Sequence, residues 1–589
     1  MEQLGQEDPK SMQRLLLATL LMAAIFGVWS FFVSPKKAEA PPPPQNAENK
    51  VSTEGAKAAV EETKDVQQAV VPLPPEAAIA GETEAPVVLE NGDLRVEILN
   101  KGAVLAHVKL LKYHEKDGPI DDLVSPLASV TGQYPLTIAT GDETFDSLVN
   151  GALFHVEQSK DAEGQSVVVL TWSNGKGDAV RKTISLPQHG YEIGLDIHAT
   201  KGGQAVAPVP LTWGPGFGRL LAVQAKNRYY QQEYVGLYEA GAFKKVTRSK
   251  VKAEKPEVID SWGDKGPIQW AAITNNYFAA AFLPDQPMPW TKVVTRILTP
   301  EEKKLHPADS DITLLVAFPG KGRLFLGPKE WSRLSAMGDH FYKLTDWGIL
   351  WPICAFLLWA LKKLFDVSHN YGVAILLLTL LIKVAFYPLT QKSMVKMKQM
   401  GEGMKKLKPQ IDRIKSKYKK LSKDMTTRSK MNEEIMALYQ REGINPLGGM
   451  SGCLPMLLQM PIFFALFTML PRAMELRGMP FFGWIQDLSV PDPYYITPLV
   501  MGVSMFISTK MTSAQGMEGA QKMMLWFMPV MFTWFCLWAP AGLTLYWLAN
   551  NVLTMGQQAI INKQVAQAKE EAAKSRKSTP KGPSRPSHA

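Results

Sequence analysis

The chain has 589 residues, 46% of them hydrophobic, and a formal net charge of +10. That length exceeds a single domain, and the cysteines Cys354, Cys453 and Cys536 are too far apart for a disulfide framework or a zinc-finger spacing. The positive charge is local: Gln391 to Met450 hold 15 Lys/Arg against 6 Asp/Glu, and Asn562 to Ala589 hold 7 against 2. Such blocks suit cytoplasmic loops facing anionic lipid or RNA.

The first apolar run, Leu15 to Val33, is 19 residues without a charge, preceded by Lys10 and Arg14. It is long enough to cross a bilayer. Ala38-Glu39-Ala40 resembles a signal cleavage site, but the run is long for a signal peptide and Pro41 would follow the cut. The expectation is a retained transmembrane anchor over 15–33, with 1–14 cytoplasmic. Residues 34–86 are rich in Pro, Ala and Glu and lack apolar periodicity, as a disordered tether does.

From 87 to 335 the pattern is one of short alternating strands. In Tyr191 to His198, Ile193, Leu195 and Ile197 face one way and Glu192, Asp196 and His198 the other; Asp93 to Leu99 and Ser166 to Trp172 read similarly. Many such strands separated by Gly, Pro, Asn and Asp predict a large antiparallel β-sandwich. His155, His189, His198 and His306 lie in no recognisable catalytic motif, so they read as surface or hydrogen-bonded histidines.

Five core spans are predicted at Tyr371–Leu389, Cys453–Leu470, Tyr494–Thr509, Met523–Trp538 and Ala541–Ile561. The run Trp347 to Phe365 is also long enough to span. Counting it would place the basic 391–450 loop outside the cell, against the preference of Lys/Arg loops for the cytoplasm. Residues 336–370 are therefore read as an interfacial helix, with Lys362 and Lys363 near the headgroups. The expected fold is a multi-domain membrane protein. It combines a six-span α-helical bundle (a five-helix core, 371–561, plus the anchor), a periplasmic β-sandwich and a cytoplasmic helical hairpin at 391–450. Both termini are then cytoplasmic, and 562–589 form a basic tail.

In the hairpin, Met397, Met400, Met404, Leu407, Ile411, Ile414, Tyr418 and Leu421 alternate spacings of 3 and 4, an a/d seam. Met431 to Arg441 supplies the second arm, and Ser422 to Thr427 the turn; Pro409 is expected to kink the first arm or restart it.

Lys383 is the one charged residue in the six predicted spans, and it lies 12 positions after Tyr371. That places it ~18 Å from the outer end of its helix. A lysine at such depth costs a few kcal/mol unless it reaches water or a partner. It can snorkel to the headgroups, or it can face a hydrated groove. Thr379 and Tyr387 lie on its face, and Gln459, Ser504, Ser508, Tyr546, Asn550 and Asn551 add polar groups in other spans. A lone positive charge without acids is poorly suited to a cation channel or proton relay, but can attract acidic residues of a crossing polypeptide. Of 27 methionines, 22 follow Thr390, and methionine surfaces adapt to varied apolar partners.

With these residues in view, the chain resembles the bacterial YidC-type membrane protein insertases in their large-domain, Gram-negative form. The resemblance is carried by Tyr387-Pro388-Leu389-Thr390, by Asn445-Pro446-Leu447-Gly448-Gly449 running on to Leu454 through Phe463, and by Asp492-Pro493-Tyr494-Tyr495-Ile496. Phe527-Met528-Pro529-Val530 and Gly542 to Tyr546 add to it. The resemblance implies a five-helix core enclosing a hydrophilic groove in the bacterial inner membrane. It implies insertion of nascent membrane proteins, alone or beside the Sec translocon, without nucleotide hydrolysis. No cofactor, metal or small-molecule substrate is then expected, and the protein is not an enzyme. The implied groove residues are Lys383, Thr379, Gln459, Tyr546 and Trp547. The family typically carries arginine at the position of Lys383, so charge is kept while bidentate bonding is lost. Trp547 stands where an aromatic, often tyrosine, is expected.

The basic hairpin and tail are candidate contacts for a ribosome or anionic lipid, and the sequence leaves both open. A small-molecule transporter would show inverted repeats and midplane charges on broken helices, which the sequence lacks. An assembly chaperone without insertion activity remains as a rival reading.

Overall fold

The computed structural model describes residues 77–114, 120–220, 230, 232–248, 257–418, 425–442, 454–512 and 520–578. The expected anchor, the residues before it, most of the tether, Cys453, much of the hairpin turn and the last residues of the tail lie outside that set.

From Ala78 to Pro328 β-branched and aromatic residues alternate with polar ones, and the described residues form three sheets whose strands all pair antiparallel. The largest, with 11 strands, includes Ser166–Asn174, Ala179–Leu186, Glu192–Lys201, Lys321–Pro328, Phe278–Pro284, Ile268–Thr274 and Tyr234–Glu239 in that spatial order. There are also two four-stranded sheets, one built around Leu94–Leu99 and Val104–His114, the other around Thr291–Thr295 and Thr313–Phe318. Burial follows the period of two: Ile193, Leu195 and Ile197 are buried while Asp196 and His198 reach the surface. A single apolar core draws side chains from all three sheets, among them Val168, Leu105 and Leu314. His155, His189 and His198 are exposed, and His306 is fully buried, 3.2 Å from the Glu233 carboxylate.

The helical part follows. Helix α1 (Trp351–Ser368) buries Cys354, Leu357, Leu358 and Leu361 and exposes Phe356 and Trp359. It stops at His369 in the left-handed region, and Asn370 starts the next helix by accepting the Val373 N–H. Helix α2 (Tyr371–Tyr418) is 48 residues long and runs unbroken through Pro388 and Pro409. The helix does not restart at Pro409. Each proline removes one backbone donor, but the Lys, Met, Leu and Gln residues around it are strong helix formers and carry the helix across.

Helix α3 is Met425–Arg441, so its first turn takes in part of the segment expected as the hairpin turn. Lys417 bonds Glu434 at 3.0 Å between the two arms. Helices α4 (Leu454–Met469), α5 (Ile496–Thr512), α6 (Ala520–Cys536) and α7 (Ala541–Ser578) are the remaining α-helices among the described residues of this part. Helix α7 packs on α2 and α5, α5 on α6, and α1 on α2 and α4.

Gly348–Ser368 and Tyr371–Pro388 are long and apolar enough to cross a bilayer; Gln459–Met469, Ile496–Met511 and Trp526–Cys536 are apolar but shorter. Large apolar side chains face outward along the bundle, including Leu381 and Val384 on α2, Val503 on α5 and Val530 on α6. A surface of this kind is stable where lipid rather than water covers it.

Both long helices continue past their apolar segments and stay together. Met394 on α2 is buried with Ile561 and Val565 on α7, and Gln391 bonds Gln564 at 2.8 Å. At the other end the α4–α5 loop meets the β-rich part and the segment before α1: Asn276 donates to the Pro471 carbonyl at 2.8 Å, and Arg472 donates to the Asp346 carbonyl at 2.9 Å.

Candidate functional site

Helix α7 organises the polar groups of the helical core. Tyr546, Asn550 and Thr554 recur every fourth position and share one face of it. Gln459 reaches that face from α4, donating to the Tyr546 hydroxyl at 2.9 Å and to Asn550 Oδ1 at 3.4 Å. Lys383 reaches it from α2, with Nζ 2.9 Å from Thr554 Oγ1. Thr554 donates in turn to the Asn550 carbonyl at 2.6 Å. The adjoining Asn551 turns to α5, where its amide donates to Ser504 Oγ at 3.1 Å.

Lys383 is half-buried, with Ile382 buried and Leu381 and Val384 exposed beside it. Among the described residues no carboxylate pairs with it; its hydrogen-bond partner is the Thr554 hydroxyl. A hydroxyl offers a dipole where a carboxylate would offer a full charge, so no described carboxylate offsets the charge of a protonated Lys383.

The remaining expected residues divide. Tyr546 is buried and bonded to Gln459. Thr379 is buried and turns its hydroxyl to its own helix, donating to the Ile375 carbonyl at 2.7 Å. Trp547 is 7% exposed and lies among aromatics, with its ring 5.0 Å from that of Phe463 and 4.2 Å from that of Phe532. The structure therefore brings together Gln459 with Tyr546, and Lys383 with Thr554, while Thr379 and Trp547 make other contacts. Below Lys383 the polar face continues, with Gln557 donating to Thr390 at 3.0 Å.

Thr554 and Gln557 were missed in the sequence. The signal was present: continuing the spacing of four from Tyr546 through Asn550 reaches Thr554. Threonine and glutamine near the end of an apolar run draw little notice singly, and only the periodicity marks them.

Comparison with known proteins covers nearly the whole chain. The family model described as 60Kd inner membrane protein matches residues 363–569, and that of the YidC periplasmic domain matches residues 86–360. A membrane protein insertase YidC of Geobacter metallireducens is 32% identical over 583 residues, covering 94% of this chain and 99% of that protein. Another, from Syntrophus aciditrophicus, is 33% identical over 581 residues at the same coverage. A crystal structure of an active YidC insertase with its first transmembrane domain resolved is 21% identical and covers 82% of this chain and 94% of that one, with a TM-score of 0.32.

Proposed function

The chain belongs to the YidC family of membrane protein insertases, and on that premise we propose that Lys383 carries its mechanism. As a member it is an inner-membrane insertase with a periplasmic β-rich domain, and its clients are membrane proteins.

The proposed mechanism places Lys383 in a positively charged hydrophilic groove shared with Thr379, Gln459, Tyr546 and Trp547. Acidic and polar stretches of a client are drawn to the ammonium, and the client's hydrophobic segment leaves sideways into lipid. Work of this kind needs a charge that no internal acid has already neutralised. The observation that carries the reading is the Lys383–Thr554 bond: the ammonium is held against α7 by a neutral hydroxyl. Around it, outward-facing Leu381, Val384 and Val503 suit contact with lipid and with an emerging apolar segment.

The proposed topology has six spans, counting the 15–33 anchor, with both termini and the 391–450 hairpin in the cytoplasm and 336–370 at the outer interface. The basic hairpin and tail then face the ribosome and anionic lipid, and client delivery occurs alone or beside the Sec translocon.

A photoreactive side chain at Tyr387, exposed and four residues from Lys383, tests the client path. Stalled nascent chains of a single-span client are expected to crosslink there. A small-molecule transporter yields no such adduct, and its absence across several stalled lengths overturns the reading.

A further inference from the structure

Lysine carries its charge on four flexible methylenes, and nothing in α2 itself fixes where the ammonium points. The constraint comes from α7. Thr554 Oγ1 has one proton, and that proton is committed to the Asn550 carbonyl at 2.6 Å. The hydroxyl therefore turns its lone pairs outward, and Lys383 Nζ lies on them at 2.9 Å. Asn550 is held in turn, because its side-chain oxygen accepts from Gln459 at 3.4 Å. The ammonium thus ends a chain of bonds from α4 through α7 to α2.

We propose that Thr554 is a positioning residue for insertion: it holds the Lys383 ammonium against α7 and keeps it from extending along α2 to the headgroups. The inference rests on the reading that the Lys383 charge acts on the client. Thr554 itself touches Lys383 and needs no contact with the client. Its hydroxyl, not its size, is the property required. Valine matches the shape without the acceptor, alanine also lacks it, and serine keeps it.

The test uses the full chain reconstituted in liposomes of phosphatidylethanolamine and phosphatidylglycerol, with insertion rate measured for a single-span client whose translocated segment is acidic. Thr554→Val and Thr554→Ala are each expected to lower the rate roughly five- to tenfold, the scale of one ordinary intramolecular hydrogen bond. Thr554→Ser is expected to keep the parent rate. In a Lys383→Ala background, Thr554→Val is expected to cause no further loss. If Thr554→Val and Thr554→Ala insert at the parent rate while Lys383→Ala is slow, the positioning role is overturned and the charge reading stands. If Thr554→Val costs the same factor with and without Lys383, the residue is merely structural and the inference is again overturned. If Lys383→Ala alone inserts at the parent rate, the charge reading falls, and the positioning role falls with it.

Discussion

The Asp121 carboxylate receives two nitrogens of Arg477, at 2.7 and 2.9 Å, across 356 positions of sequence. Asp121 is the middle residue of the short strand Ile120–Asp122 of the β-rich domain, and Arg477 lies in the loop between α4 and α5. The guanidinium also lies over the Phe278 and Tyr277 rings, at 4.9 and 5.3 Å. Planar bidentate pairing and ring stacking are both properties of arginine that lysine lacks.

This pair ties the two halves of the molecule, so removing one partner strands the other in a mostly buried place. Asp121→Ala is expected to destabilise the joined state by about 2–4 kcal/mol. Arg477→Lys is expected to recover only part of the loss, because an ammonium lacks the planar two-nitrogen fork and the face that stacks on Phe278 and Tyr277. Thermal unfolding of the detergent-solubilised protein measures both, and a parent-like Tm for Asp121→Ala refutes the tie.

A second prediction concerns Lys182, which is fully buried in the β-rich domain. Its Nζ lies within hydrogen-bond reach of the carbonyls of Gly102, Ala103 and Leu136, at 2.9, 3.0 and 2.9 Å. Lys182→Met leaves three buried acceptors unsatisfied and is expected to cost on the order of 3 kcal/mol in denaturant unfolding.

The same residue gives a pH signature. Burial pushes Lys182 down to about 7, whereas an unfolded lysine titrates near ~10.4. Between those values the unfolded chain holds more protons than the folded one, so this group makes stability rise with pH across that window. Parent and Lys182→Met unfolding free energies, compared from pH 7 upward, are expected to diverge in the parent's favour. A constant difference contradicts the prediction.

A third prediction tests helix packing. A Cβ at Gly502 on α5 would lie 2.0 Å from Thr533 Oγ1 on α6. Small residues of this kind let membrane helices approach closely. Gly502→Ala is expected to part α5 from α6 and cost about 1–3 kcal/mol. The double variant Gly502→Ala with Thr533→Ala is expected to regain much of it. Tm in detergent reads both, and no gain on adding Thr533→Ala rules out this contact as the cause.

Local pattern carried much of the fold. Alternation in Tyr191 to His198 named the buried Ile193, Leu195 and Ile197 because a strand's two faces meet different surroundings. Leu407 and Ile411 of the expected seam are buried on α2. The helix does not restart at Pro409, because a proline's local penalty is outweighed when both flanks favour helix. In the core, polar residue types singled out Lys383, Gln459 and Tyr546, but direction was beyond reach. Nothing in composition says that Trp547 turns to Phe463 and Phe532, or that Thr379 bonds its own backbone. The pairing of Asp121 with Arg477 was wholly illegible, since no local signal selects one acid among many for one distant arginine.

In the proposed mechanism, insertion depends on the positive charge at position 383. Growth of cells depleted of their own insertase, rescued by this protein, measures it directly once equal membrane levels are verified by immunoblot. Lys383→Arg is expected to sustain growth, whereas Lys383→Glu and Lys383→Ala are expected to fail. Full rescue by Lys383→Ala would contradict the account.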